Sequence, residues 1–206
     1  FFVGTGNEIV LTSGNDLIVT DGSVAGTRKL IDRLPGGSYV SGLETLSNMY
    51  LFLKDLKLWK TDGTKTGTVA VKEMGFGYSP AAAVADNCVY FIGYTGDYLY
   101  QTALWKSDGT ASGTQMVFRF DESINFDKIK DLETVGEKLI FTILNDSTGY
   151  RTIWISDGTE AGTLPLQNNL DGRLILEHDA QFTLYNDGIA FQAAMEDVGY
   201  ELFRID

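Results

Sequence analysis

Apolar residues return at every second position along this chain, in short runs rich in β-branched and aromatic side chains. Glycine or an Asp-Gly pair interrupts the runs about every ten residues. Such a period excludes helix and predicts short strands. Residues 80–86 (PAAAVAD), 88–95 (CVYFIGYT), 102–108 (TALWKSD) and 114–120 (TQMVFRF) read as four strands in succession. Residues 127–135, 138–146, 151–157 and 163–169 repeat the order, with Gly136-Glu137 as the hairpin between the first two.

The same eleven residues recur at the third strand of each unit. LWKTDGTKTGT occupies 58–68, LWKSDGTASGT 104–114 and IWISDGTEAGT 153–163; LIVTDGSVAGT at 17–27 is a weaker copy and LFRID at 202–206 a partial one. Aligned on Asp21, Asp62, Asp108, Asp157 and Asp206, the copies are 41, 46, 49 and 49 residues apart. Four strands in about 40–50 residues is the dimension of a propeller blade. The expected fold is therefore all-β, a β-propeller of four-stranded antiparallel blades. About five repeats are present, at residues 1–34, 35–76, 77–122, 123–170 and 171–206, and the last lacks its fourth strand. They form a single propeller domain or a fragment of a larger propeller, and the parent chain is expected to continue past Asp206. A β-solenoid would use shorter, more uniform coils, and paired sandwiches would not repeat so regularly.

The motif reads as architecture. Asp21, Asp62, Asp108 and Asp157 are each followed by glycine (Gly63, Gly109 and Gly158 in the three strongest copies), then by Ser or Thr. A second glycine and a threonine follow at Gly26-Thr27, Gly67-Thr68, Gly113-Thr114 and Gly162-Thr163. Aspartate folds back on backbone N–H groups two residues on, and glycine takes positive φ cheaply, so the expected element is a side-chain-stabilised turn. A calcium site is the competing reading. One carboxylate per turn falls well short of the six to eight oxygens (approximately) that calcium takes. Trp59, Trp105 and Trp154 stand three residues before the aspartate, with Ile18 and Phe203 at the same position. A position that accepts isoleucine, phenylalanine and tryptophan in turn is a packing position of the blade core. Phe52, Phe91, Phe141 and Phe191, one per second strand, read the same way.

With these residues in view, the signature resembles the ELW-x-[ST]-DGT-x-x-GT repeats of large secreted and surface proteins of bacteria. More loosely, the turn is similar to the Asp-box between third and fourth strands of sialidase-type blades. The first resemblance implies an extracellular, cell-surface or periplasmic place and a role in binding or adhesion without a defined activity. This chain departs from the pattern at Ile18, Ser23, Phe203 and Ile205.

Composition narrows the field. The 206 residues are 44% hydrophobic and 12% aromatic, with 23 glycines against 3 prolines, enough for a core with many tight turns. A formal net charge of −12 argues against nucleic acid and against anionic membrane surfaces. No apolar run approaches the roughly 20 residues of a spanning helix. The single cysteine, Cys88, lies in an apolar run and is expected to be a buried, inert thiol, and the single histidine, His178, leaves no ordinary triad or zinc site. There are six arginines (Arg28, Arg33, Arg119, Arg151, Arg173 and Arg204), and with Arg28 and Arg119 on fourth strands and Arg204 on a third they do not suggest a converging cluster. No carboxylate pair stands out for glycoside hydrolysis. The reading is not an enzyme, with no cofactor and no metal.

Where the repeats disagree is informative. The DGT turns hardly change length, whereas the hairpins between second and third strands differ: KDLK, GYTGDYLYQT, NDSTGYRT and EDVGYE. Loops that vary on a rigid scaffold carry binding. The candidate ligand residues are Tyr94, Asp97, Tyr98, Asp146, Tyr150 and Tyr200 on these hairpins, with Tyr39 and Tyr78 from the inter-blade links on the same face. Tyrosines beside carboxylates suit stacking and hydrogen bonding to a carbohydrate, or anchoring of a protein partner. The expected function is a binding or adhesion module. An architectural subunit that packs against other chains of a surface assembly is the alternative, and a glycan-processing enzyme a distant third.

Overall fold

Five antiparallel sheets succeed one another along the chain in a computed structural model that describes residues 2–5, 7–13, 16–31, 40–54, 56–74, 81–95, 101–166, 174–175, 181–186, 188–195 and 199–205. Sheet one holds β1 (Phe2–Thr5), β2 (Glu8–Ser13), β3 (Asp16–Thr20) and β4 (Arg28–Ile31) in sequence order. Sheet two holds β5 (Ser41–Leu46), β6 (Met49–Lys54), β7 (Lys57–Thr61) and β8 (Val69–Glu73). In sheet three are β9 (Ala82–Ala85), β10 (Cys88–Tyr94), β11 (Thr102–Ser107) and β12 (Gln115–Arg119). A 3-10 turn at Phe126–Lys128 precedes sheet four, which comprises β13 (Ile129–Val135), β14 (Lys138–Leu144), β15 (Arg151–Ser156) and β16 (Leu164–Pro165). Sheet five comprises β17 (Leu174–Ile175), β18 (Phe182–Tyr185), β19 (Gly188–Met195) and β20 (Gly199–Ile205).

Sheet five departs from the simple order. β20 pairs with β19 from Ile189↔Ile205 to Met195↔Gly199 and so takes one whole edge of it. β17 and β18 both pair with β19 and must share its other edge, so together they stand where the other sheets have a first strand. No described strand lies beyond β20. The strands are otherwise close to those expected from the period. Exceptions are Asp127 and Lys128, which belong to the 3-10 turn and not to a strand, and the fourth strand of sheet four, which spans only Leu164–Pro165. Among the described residues no helix is long and apolar enough to cross a membrane.

Period two gives each sheet two apolar faces, and the core consists of the layers between successive sheets. Val10, Leu17, Val19 and Leu30 of sheet one meet Tyr50 and Phe52 of sheet two. Leu51, Leu53 and Leu58 on the other face of sheet two meet Val89 and Phe91 of sheet three. Tyr90, Ile92 and Leu104 then meet Phe141 and Ile143 of sheet four, and Ile140 and Ile153 meet Phe191 and Ala193 of sheet five. Neighbouring first strands approach one another, β5 to β9 and β9 to β13, so they form the inner side of the arrangement.

The third-strand aromatics three residues before the aspartate, Trp59, Trp105, Trp154 and Phe203, face the preceding sheet. Each sits directly across from a second-strand phenylalanine: Phe52↔Trp59, Phe91↔Trp105, Phe141↔Trp154 and Phe191↔Phe203. Three of these pairs stack, with centroids 6.1, 6.0 and 5.7 Å apart for Phe52–Trp59, Phe141–Trp154 and Phe191–Phe203. Such pairs add about 0.5–1.5 kcal/mol to the burial of their area.

A bulge repeats in the outer strands. Register slips by one residue opposite Ile18, Trp59 and Trp105, leaving Leu30, Val71 and Val117 as the extra residues. Two residues against one tilts the strand and turns an additional side chain. Here it turns Leu30, Val71 and Val117 onto the following sheet.

Candidate functional site

The Asp-Gly turn is the most repeated piece of local chemistry. Asp62 Oδ1 accepts from the Thr64 amide at 2.9 Å and the Thr64 hydroxyl at 2.7 Å, and the Gly67 amide donates to Thr64 Oγ1 at 2.9 Å. The Thr68 hydroxyl donates to the Thr64 carbonyl at 2.6 Å and lies 2.7 Å from the Thr61 hydroxyl, which accepts from the Gly63 amide. The same bonds recur around Asp21, Asp108 and Asp157. The Ser or Thr before the aspartate (Thr20, Thr61, Ser107, Ser156) is thus part of the turn, a role the sequence reading did not assign.

The two glycines are required for different reasons. Gly63, Gly109 and Gly158 have φ of +86°, +82° and +80°, the left-handed region. A Cβ on Gly67, Gly113 or Gly162 would lie 2.0 Å from the Oδ1 of the turn's own aspartate, so there the constraint is space. All four carboxylates are held below the ordinary range, first by the Ser or Thr hydroxyl and then by its amide, against a smaller opposing effect of burial. Every Oδ1 is spent inside its own turn. Among the described residues no three His, Cys, Asp or Glu side chains come together as metal ligands.

The turns of sheets two, three and four also bind each of these sheets to the one before. Lys60 Nζ in sheet two donates to the Gly109 carbonyl of sheet three at 2.9 Å, and Lys106 Nζ in sheet three to the Gly158 carbonyl of sheet four at 3.2 Å. Between sheets one and two the bond comes from Arg28, whose Nη2 donates to the Gly63 carbonyl at 3.1 Å while it holds Glu8. Lys72 adds a bond to the Thr114 carbonyl. Lys60 and Lys106 further lower the carboxylates of Asp108 and Asp157 in the turns they reach.

The hairpin face is different. The β2–β3 and β6–β7 connections are tight, Ser13 pairing with Asp16 and Lys54 with Lys57. The β10–β11 and β14–β15 connections are longer, closed by Thr95 N to Gln101 O at 2.8 Å and Asn145 N to Tyr150 O at 2.8 Å. Tyr94, half-buried, meets Phe126 of the link before sheet four edge-on at 5.5 Å, and burial pushes its hydroxyl up. Asp146, exposed on the β14–β15 hairpin, pairs at 2.7 Å with Lys128 of the same link. Tyr150 closes that hairpin. Tyr200 is 55% exposed on β20, opposite Ala194, and belongs to sheet five. Tyr39, Tyr78, Asp97 and Tyr98 lie outside the described residues, as does His178. Cys88 is half-buried rather than buried, because it opens β10 at the sheet's end, and desolvation raises its thiol.

Asp146 and the link thus frame a cleft of about 510 Å³. Ile124, Ile143, Leu144, Trp154 and Pro165 give it apolar walls, while Ser123, Lys128, Asn145, Asp146, Ser147 and Thr152 supply polar groups. Lys128 Nζ reaches the Ser123 carbonyl at 2.7 Å as well as Asp146, fixing one wall. Asp146 is visible in the sequence as a charge on a variable hairpin; Lys128 is not, nor is the second part played by Trp154, which fills the layer between sheets three and four and lends an edge to the cleft.

No protein-family model and no curated protein sequence matches the chain. Solved structures do resemble it. The computationally designed Ika8 protein superposes with a TM-score of 0.58 at 14% identity, over 99% of this chain and 57% of that one. The β-propeller domain of the Trilobed protease from Pyrococcus furiosus gives 0.54 at 12%, over 97% and 63%. Prolyl oligopeptidase B from Galerina marginata gives 0.60 at 12%, over 100% and 36%. The chain spans between 36% and 63% of the length of these proteins. At such identity the likeness concerns the fold alone: an all-β chain of four-stranded antiparallel sheets, of the kind found in β-propeller proteins.

Proposed function

We propose that the five sheets are consecutive propeller blades of a non-enzymatic module that binds a saccharide at the cell surface or outside the cell. The observation that carries this reading is the cleft between the 123–128 link and the β14–β15 hairpin. Apolar walls with a fixed ion pair and several amide and hydroxyl groups suit a sugar, which presents both C–H faces and hydroxyls. The DGT turns, whose carboxylates are already satisfied internally, then serve as scaffold. The resemblance of the repeat to secreted and surface proteins supports the extracellular place, and a net charge of −12 accords with a ligand that is not a polyanion.

A glycan array probed with the purified chain tests this. The expected result is retention of one saccharide class, weakened at least about tenfold by Asp146→Ala or Lys128→Ala and unchanged by Lys65→Met on the opposite face. Absence of any binding at high protein concentration, or binding indifferent to both cleft substitutions, would contradict it.

A further inference from the structure

Sheet four buries a charged group where its neighbours bury hydrocarbon. The residue after the second-strand phenylalanine is Leu53 in sheet two and Ile92 in sheet three, both fully buried. In sheet four it is Thr142, equally buried, which pairs across with Ile153 on the side that meets sheet five. The cleft residues Ile143 and Trp154 alternate with these two and face sheet three, so Thr142 stands on the reverse of the cleft. Its hydroxyl donates to Asp131 Oδ2 at 2.7 Å, the Lys130 carbonyl being further off at 3.5 Å, and accepts from Arg151 Nη1 at 3.1 Å. The same nitrogen of Arg151, whose side chain is buried, donates to the Lys128 carbonyl at 3.4 Å.

Packing does not account for this chain of groups. Taking a guanidinium out of water costs more than burying the leucine or isoleucine found at such places, and apolar replacement of buried ionic sets is often stabilising. Asp131 lies in the bulge of β13 with φ +59°, a conformation that residues other than glycine rarely take. Its carboxylate sets the direction of the whole chain. A hydroxyl has one proton and two lone pairs, so when Asp131 takes the proton of Thr142 the oxygen is left facing the guanidinium as an acceptor.

The far end of the chain is Lys128, the last residue of the 3-10 turn Phe126–Lys128. Its carbonyl is held from behind the sheet by Arg151, and its Nζ reaches forward to Asp146 Oδ2 and the Ser123 carbonyl, both at 2.7 Å, in the cleft wall. We infer that Asp131, Thr142 and Arg151 are positioning residues for the hairpin cleft: they fix the backbone of Lys128 and thereby the place of its ammonium group beside Asp146. None of the three lines the cleft. The consequence for ligand affinity rests on the saccharide reading above, whereas the positioning is measurable without a ligand.

Acylation of the intact chain with the N-hydroxysuccinimide ester of acetic acid, followed at each lysine by peptide mass spectrometry, tests it. Lys128, with a side chain 17% exposed and engaged by Asp146 and Ser123, should react more slowly in the wild type than the exposed Lys65. Thr142→Val keeps the volume and removes the hydroxyl, and Arg151→Met keeps the length and removes the donors. Each should speed acylation of Lys128 at least about fivefold and leave Lys65 unchanged. Thr142→Ser keeps the hydroxyl and should stay within about twofold of the wild type. Asp131→Ala, at the half-buried end of the chain, disturbs the core least and should quicken Lys128 at least about twofold, which serves if either buried variant fails to unfold cooperatively in urea. Unchanged reactivity of Lys128 in the folded variants, or Thr142→Ser as fast as Thr142→Val, would overturn the inference. The glycan array separates the two claims. Lysine rates as expected with no printed glycan retained by the wild type would uphold the positioning and sink the saccharide reading. Retention that is equal in wild type and Thr142→Val, with Lys128 unchanged, would do the reverse.

Discussion

Lys60 and Gly109 are 49 residues apart in sequence and joined by a 2.9 Å hydrogen bond from the lysine Nζ to the glycine carbonyl. The bond links the third strand of one sheet to the turn that ends the third strand of the next. Lys106 and Gly158 repeat it across 52 residues. A turn that looks self-contained in one repeat is therefore half of an interface, and sheets two, three and four present the same glycine carbonyl to the sheet before.

Removing the donor leaves a part-buried carbonyl without its charged partner. Lys60→Met and Lys106→Met should each lower the free energy of urea unfolding by about 1–2 kcal/mol. Lys65→Met, on an exposed part of the Asp62 turn, should stay within about 0.5 kcal/mol of the wild type.

The two glycines of a turn should respond differently to the same substitution. Gly63→Ala places a Cβ at φ +86° with only a Glu8 oxygen near, at 3.4 Å, and the left-handed strain costs about 1–2 kcal/mol. Gly67→Ala drives a Cβ into Asp62 and should cost more, at least about 2–3 kcal/mol. Because that clash is with one side chain, Asp62→Ala combined with Gly67→Ala should cost clearly less than the sum of the two. Thermal unfolding of the four proteins measures the difference.

Acid should loosen the joints. The folded pKa values of Asp62, Asp108 and Asp157 lie below their unfolded values because threonine hydroxyls and amides bind the ionised form. Their contribution is then complete above the unfolded carboxylate pKa and is lost as pH falls through the folded one. Glu133 runs the other way. Desolvation raises it although it accepts from the Phe182 amide at 3.0 Å, so its ionisation costs stability as pH rises past the unfolded value. Asp108→Asn should flatten the acid side of a stability–pH curve, and Glu133→Gln should steepen the net gain of stability from pH 4 to 6 (approximate limits set by carboxylate titration).

Much of this architecture is legible in the repeat itself. Period two marked the strands, Asp-Gly-Thr marked the turns, and the exchange of tryptophan with isoleucine and phenylalanine marked a packing position. Phe141 and Trp154 can be paired on paper once the hairpin is placed. What lies between repeats is harder to see. Nothing local tells Lys60 from any other surface lysine, because its partner is a backbone carbonyl in the next unit. The two glycines look alike in sequence, and only the approach of the aspartate oxygen separates them. In the variable hairpins Asp146 was visible as a charge on a loop. Its partner Lys128 stands in a 3-10 turn that the alternation had assigned to a strand.

The central claim, that the repeated turn is a joint between sheets, is tested most directly by a double-mutant cycle. Lys106→Met and Asp157→Ala belong to adjacent sheets and act on one joint, whereas Lys106 and Asp62 share none. Unfolding free energies should show Lys106–Asp157 coupling above the roughly 0.5 kcal/mol limit of additivity, and none for Lys106 with Asp62→Ala. Additive effects in both cycles would contradict the account and return the motif to a turn that serves its own repeat alone.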